Sequence, residues 1–359
     1  MNFTKTETLK VLYFTYPAAF QFWGGAENLL LKTKEYAEKI SRHKIKLFDM
    51  FNDRLSQYDY LHVFSMHPDG LFLSQKAKQA GLKFVLSPIH WEQPTKSTDI
   101  LTPLALSKFY LNVKSYRFAT FRELFPFKNF LELADIILPN SKLEADKLSQ
   151  DFRISREKFW VVPNAVEQRF ASADPSLFVE KYGLANFVLY VGRIEKNKNP
   201  LGLIKACTDL NIPLVIIGAP NIGDEEYFNE CKKSAEPNKN IKMIGFLPHD
   251  SAELSSAYAA AKAFVLPSLF EIPGLTALEA GLAGCNVAIT SRGSTREYFK
   301  DYVLYLNPAS QDDIREKTRE AYEKPKNDYL KQHILNNYTW ERTAEKTLQA
   351  YELVLSRSR

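Results

Sequence analysis

The 359-residue chain is 45% hydrophobic and 25% charged, an ordinary globular balance with material for two cores, which excludes a single small domain and a disordered chain. A net charge of +5 suits an anionic ligand or membrane surface, and no recognisable nucleic-acid motif accompanies it. Three scattered cysteines, Cys207, Cys231 and Cys285, make neither a disulfide framework nor a zinc site and read as small buried apolar residues. No apolar run approaches the roughly 18 residues of a membrane span, and no secretory leader is seen, so a cytoplasmic protein is expected.

Short runs rich in Val, Ile, Leu and Phe predict strands from Lys10 (KVLYFT), Ile45 (IKLFDM), Tyr60 (YLHVFS), Lys83 (KFVLS), Asp135 (DIILPN) and Phe159 (FWVVPN). Between them, ENLLLKTKEYAEKI and SKLEADKLSQ space apolar residues by three and four, as amphipathic helices do, and Asn140-Ser141 supplies an N-cap for the second. The second half repeats the alternation, with strands from Phe187, Pro213, Ile241, Ala263, Asn286 and Tyr302. Helices are expected over Pro200 to Leu210, Ser251 to Lys262 and Leu275 to Ala283. Alternating β and α elements predict parallel sheets covered on both faces, and two such series predict two doubly wound α/β domains with a cleft between them. The change-over falls between Val166 and Leu184, where the strand pattern breaks.

Ligands of open α/β sheets sit beyond the carboxyl ends of the strands, so residues just after each strand are the ones to weigh. After the first strand, Gly24-Gly25 leads into a helix, either as a plain tight turn or as a place where backbone amides meet an anion. After FVLYVG, Gly192-Arg193 and then Lys198 form either a solvated turn or a two-cation clamp for a diphosphate. The richest stretch is AFVLPSLFEIPGLTALEAGLAG, where a loop carries Glu271 and a helix opens at Pro273-Gly274 and holds Glu279. The amides of Gly274, Leu275 and Thr276 would form an anion site backed by the helix dipole. Carboxylates repel a diphosphate, so two of them bracketing such a site point to sugar and ribose hydroxyls as their partners.

These segments resemble family-4 retaining glycosyltransferases of the GT-B fold. AFVLPSLFEIPGLTALEAG is similar to that family's E-x7-E motif, Gly24-Gly25-Ala26-Glu27 to its GGxE loop, and VVPNAVE to its interdomain stretch, with Ala165 in place of Gly. YVGRIEKNKN resembles its VGR-x4-K clamp, and YTWERTAEKTLQAYELVL its tryptophan-led terminal helix. The resemblance implies two Rossmann-like domains: residues 1–168 completed by 340–359 for the acceptor, and 169–339 for the nucleotide sugar. It implies that Arg193 and Lys198 neutralise a leaving diphosphate whose distal phosphate meets the amides of Gly274, Leu275 and Thr276. Glu279 would hold the ribose, Glu271 the transferred sugar, and Gly245, Phe246 and Leu247 the nucleobase. Gly24, Gly25 and Gly192 would line the phosphates. Ile272-Pro273 stands where the family has Gly and an aromatic, and SPIHWE offers His90 as the counterpart of a sugar-contacting His-Asp.

The expected activity is transfer, with retention, from a UDP- or GDP-linked sugar to a glycan, lipid-linked or other hydroxyl acceptor, with no cofactor and no metal. An inverting transferase or epimerase using His90 or His67 as base, and a non-catalytic nucleotide-sugar binder, are the alternatives. His43, His249 and His333 sit in polar surroundings and His62 inside a strand, so these four read as structural or surface groups. Residues 101–130 hold five basic residues, one acid and eight aromatics, either an amphipathic helix pair or a surface that dips into the anionic inner face of the plasma membrane.

Overall fold

The computed structural model describes residues 8–21, 25–89 and 127–357. They form two units, Met1–Asn164 with Trp340–Arg359, and Ala165–Thr339. The division falls at Asn164, ahead of the boundary at 168 read from the sequence. Val166 is already tied into the second unit, donating to the Tyr338 carbonyl at 3.0 Å and bridging to Thr339.

In the first unit β1 (Lys10–Phe14), α1 (Gly25–Ile40), β2 (Lys44–Leu47), β3 (Tyr60–Phe64), α2 (Pro68–Gln79), β4 (Lys83–Ser87), a helical segment α3 (127–133), β5 (Ile136–Ile137) and α4 (Lys142–Phe152) follow in order. The five strands are parallel in the order β2-β1-β3-β4-β5. Central strands such as β3, buried along their whole length, need no polar face, which is why they read as unbroken apolar runs. Ser141 caps α4 by accepting from the Glu144 amide at 3.1 Å, as its sequence implies. The expected strand FWVVPN does not form. Phe159 makes one parallel bridge to Ile137, and the chain stays beside β5 only through Trp160 and Val162. Pro139 and Pro163 carry no amide to extend a ladder there.

The C-terminal helix Trp340–Ser356 belongs to this unit and packs on α1. Its Tyr351 hydroxyl meets Tyr13 at 3.0 Å and His62 Nδ1 at 2.8 Å, while His62 Nε2 meets Ser87 at 2.9 Å. Burial pulls the His62 pKa down to about 3, so the imidazole is a neutral link in a buried polar chain, as its place inside a strand suggested.

The second unit runs α5 (Ser176–Tyr182), β6 (Val188–Val191), α6 (Pro200–Leu210), β7 (Leu214–Ile217), α7 (Glu225–Ala235), β8 (Ile241–Gly245), α8 (Ala252–Ala260), β9 (Ala263–Leu266), α9 (Leu275–Leu282), β10 (Asn286–Thr290), α10 (Thr295–Phe299), β11 (Leu304–Leu306), α11 (Gln311–Glu323) and α12 (Tyr329–Asn337). All six expected strands are present, parallel, in the order β11-β10-β9-β6-β7-β8. One continuous apolar core fills the unit and takes in Cys207, Cys231 and Cys285, which are buried free thiols. The strand order reverses between β6 and β9, the topological position where doubly wound sheets bind ligands.

Candidate active site

The crevice at the reversal is visible in the strand register. β6 and β9 pair only at Val188↔Ala263 and Leu189↔Phe264, whereas β6 and β7 stay paired as far as Val191↔Ile217. Past Leu189 the two strands part, and the loops that leave them, Gly192 to Asn199 and Pro267 to Gly274, hold the residues singled out above. The Leu269 amide, donating to the Asn197 carbonyl at 2.7 Å, ties one loop to the other.

Glu271 is buried, 5% exposed, and its Oε1 accepts from Lys198 Nζ at 2.6 Å and from Ser268 Oγ at 2.5 Å. Of the two cations read as a clamp, Lys198 is therefore an inward-facing group in an ion pair. Arg193 is more than half exposed, 3.3 Å from Glu195. The turn that carries Arg193 is fixed from beneath by Tyr190, whose hydroxyl donates to the Arg193 carbonyl at 2.6 Å. Burial, with the negative charge of Glu271 next in importance, holds that phenol well above its ordinary pKa, so it stays a donor.

Beyond Glu271 the Ile272–Pro273 peptide is cis and Gly274 caps α9 at φ 91°, ψ 74° with no side-chain cap. Gly274, Leu275 and Thr276 present amides that meet no acceptor among the described residues. Free amides at the positive end of a helix dipole attract an anion. Glu279, one turn into α9 and 4% exposed, is partnered differently: Oε2 accepts from the buried Tyr258 hydroxyl at 2.8 Å, and Oε1 lies 2.7 Å from His249 Nε2. His249, read as a structural or surface group, is half exposed, and its hydrogen bond to Glu279 raises its pKa against the opposing effect of burial.

Glycines set the floor of the site. The Gly218 amide donates to the Gly245 carbonyl at 2.8 Å, and a Cβ on Gly218 would lie 1.9 Å from the Gly192 carbonyl oxygen. The ends of β6 and β7 can thus approach only because residue 218 is glycine, with Phe246 standing 70% exposed after β8 and Leu247 partly buried. Gly293, missed in the sequence, seats the Glu271 loop. It bridges to Glu271, sits at φ 98°, and a Cβ there would lie 1.9 Å from the Glu271 carbonyl oxygen. Gly293→Ala is expected to cost about 2 kcal/mol or more, read as a fall in Tm of roughly 4–8 °C. Gly284→Ala, with similar φ but no atom within 4 Å of the new Cβ, should cost only about 1 kcal/mol. Equal effects in thermal unfolding would discount the contact with Glu271.

In the first unit Gly25 opens α1, while Gly24 and His90 lie outside the described residues, as does 101–126 of the basic aromatic stretch. His67 caps α2, accepting from the Asp69 amide at 3.4 Å, and stacks on Tyr16. His43 accepts from the Leu9 amide at 3.2 Å, and His333 meets the Tyr298 carbonyl at 2.8 Å. Asp312 and Asp313 sit in the first turn of α11, and no cluster of three His, Cys, Asp or Glu side chains able to hold a metal occurs among the described residues. No helix among them is long and apolar enough to cross a membrane.

Two parallel α/β units, the second organised around a crevice with two buried carboxylates and an open helix N-terminus, define a GT-B fold. Solved structures carry the same fold: a glycosyltransferase from Rickettsia africae (TM-score 0.72, 14% identity, 98% of this chain and 99% of that one) and Anabaena HepE in complex with UDP and glucose (0.66, 16%, 96% and 100%). Residues 178–340, nearly all of the second unit, match the family model of group 1 glycosyl transferases. It is 25% identical over 242 residues to O-antigen chain mannosyltransferase B of Escherichia coli, covering 62% of each chain. It is 28% identical over 238 residues to D-inositol 3-phosphate glycosyltransferase of Actinosynnema mirum, covering 61% of this chain and 57% of that one. The chain thus spans less than two thirds of the length of these relatives.

Proposed function

We propose that the protein is a retaining glycosyltransferase that moves a sugar from a UDP- or GDP-linked donor to a hydroxyl of a glycan or lipid-linked acceptor. The observation that carries this reading is the pair of buried carboxylates, Glu271 and Glu279, on either side of the open α9 N-terminus, with Lys198 ion-paired to the first. A diphosphate fits the free amides, and its two flanking groups, sugar and nucleoside, fit the two carboxylates. The names of similar proteins run the same way. HepE is seen with UDP and glucose, the E. coli relative is a mannosyltransferase, and a Campylobacter jejuni relative, 31% identical over 172 residues, acts on a diphospho-undecaprenol acceptor.

In the proposed reaction the bond between the anomeric carbon and the phosphate oxygen breaks, its electron pair staying on the diphosphate. Lys198, Arg193 and the α9 amides stabilise that charge, the electrostatic work a metal does in other transferases. The acceptor oxygen bonds to the anomeric carbon on the face the diphosphate leaves, and its proton passes to the leaving phosphate, so no histidine base is required. Glu271 lies where positive character develops on the sugar.

Incubation with UDP- and GDP-sugars and a lipid-linked or glycan acceptor, followed by NMR of the product, tests this. The anomeric configuration of the donor should be kept, and turnover should survive excess EDTA. An inverted product would return the assignment to a histidine-base mechanism, and chelation that stops turnover until magnesium or manganese is restored would remove the metal-free account.

A further inference from the structure

His249 has no role in the reaction just described, yet its surroundings are built. Its ring nitrogen Nε2 is 2.7 Å from Glu279 Oε1, its ring edge meets Phe170 at 5.8 Å between centroids, and its own carbonyl accepts from Arg169 Nη2. Arg169 is anchored in turn, by Glu167 at 2.7 Å, by Ser255, and by its guanidinium lying 4.2 Å over the Phe170 ring. The loop after β8 is therefore clamped in the position that brings this imidazole to the carboxylate.

We infer that His249 is a positioning residue of the proposed donor site, fixing the Glu279 carboxylate so that its remaining lone pairs meet the ribose hydroxyls of a nucleoside diphosphate. The inference rests on the donor-site reading above and adds a residue to it. An ionised carboxylate offers about four acceptor positions, two per oxygen. Tyr258 takes one on Oε2 and His249 one on Oε1. What is left is one position on each oxygen, the number a ribose cis-diol requires. Without His249, Oε1 is free to rotate toward water and the two vacant positions lose their fixed direction. Tyr258 is fully buried and cannot adjust, while the His249 side chain is half exposed, so it is the arm of the pair that solvent and pH reach.

Charge gives the role a pH dependence. The groups facing His249 are Glu279 from α9, the neutral Tyr258 phenol from α8, and Arg169 and Glu167 from the segment before α5, with Asp250 next in the chain. Glu279 and Glu167 favour the imidazolium, Arg169 and burial oppose it, and the hydrogen bond to Glu279 wins, raising the pKa. A raised pKa means that the charge-assisted bond is complete at low pH and is lost as pH rises through the raised value. Neutral His249 still donates, without the charge.

Calorimetric titration of UDP and GDP into wild type, His249→Ala and His249→Gln at about pH 6, 7 and 8, with thermal unfolding to confirm each fold, tests this. His249→Ala is expected to weaken the preferred nucleotide roughly ten-fold at neutral pH, as loss of a charge-assisted bond does. His249→Gln donates but cannot charge, so it should fall several-fold behind wild type at about pH 6, and the shortfall should shrink as pH rises. The ratio of the two cancels the ligand's own titration. Wild-type affinity in His249→Ala overturns the inference. So does a loss that Gln fails to repair and that is the same at every pH, the behaviour of a residue that only supports the fold. If the wild-type protein binds neither nucleotide, the donor-site reading falls and this inference with it.

Discussion

Lys198→Ala is expected to slow sugar transfer by roughly a hundred- to a thousand-fold, the scale on which loss of one preorganised charge at a developing anion is felt. It should also lower stability, which the sequence alone would not suggest. Glu271 is 5% exposed and Lys198 is the cation on its Oε1, so the variant leaves a buried carboxylate without its counter-ion, a change that costs about 3 kcal/mol or more. Two effects of one substitution can be separated. In Lys198→Ala/Glu271→Gln the buried charge is gone and the Ser268 hydroxyl still has an oxygen to meet, so the melting temperature should recover while turnover does not. A double variant as unstable as Lys198→Ala would show that the pair matters for packing instead of charge. Near-normal turnover in Lys198→Ala would take the ammonium out of the leaving-group account.

Elements whose physics is local were legible in the sequence. The six strands of the second unit are buried runs, and their hydrophobicity marks them to within a residue or two. Pro200 to Leu210 was readable because Asn199 and Pro200 start that helix and Asn211 ends it. FWVVPN misled because an apolar run is a strand only if a neighbour offers a ladder, and β5 is two residues long. In the site the chemical types were readable and their pairings were not. Lys198 reaches Glu271 across 73 residues and His249 reaches Glu279 across 30. Those contacts depend on loops that leave the same end of one sheet, from β6 and β9 side by side and from β8 beyond β7, a property of strand order that no single segment encodes. Gly218 and Gly293 look like ordinary turn glycines until the carbonyl that excludes a side chain is seen.

The two glutamates should fail in different ways. Glu271→Ala is expected to lower kcat by roughly a hundred-fold or more with a small change in donor KM. In the proposed geometry this carboxylate faces a sugar that gains positive charge only as its bond to phosphate breaks, so its contribution is largest in the transition state. Glu271 already shares its charge with Lys198, and once the leaving diphosphate draws that ammonium, the full carboxylate charge is released toward the sugar at the same moment. In the same proposal Glu279 holds a ribose that does not change during reaction. Its removal takes away binding felt equally before and during the chemical step, and Glu279→Ala should mainly raise donor KM. The Tyr258 hydroxyl and His249, both left without their acceptor, would add a stability loss in Glu279→Ala, which Glu279→Gln should reduce. Steady-state kinetics with varied donor, run on variants confirmed as folded, separates the two roles. A kcat defect at Glu279 with a KM defect at Glu271 would mean that nucleoside and sugar lie the other way round across the α9 N-terminus.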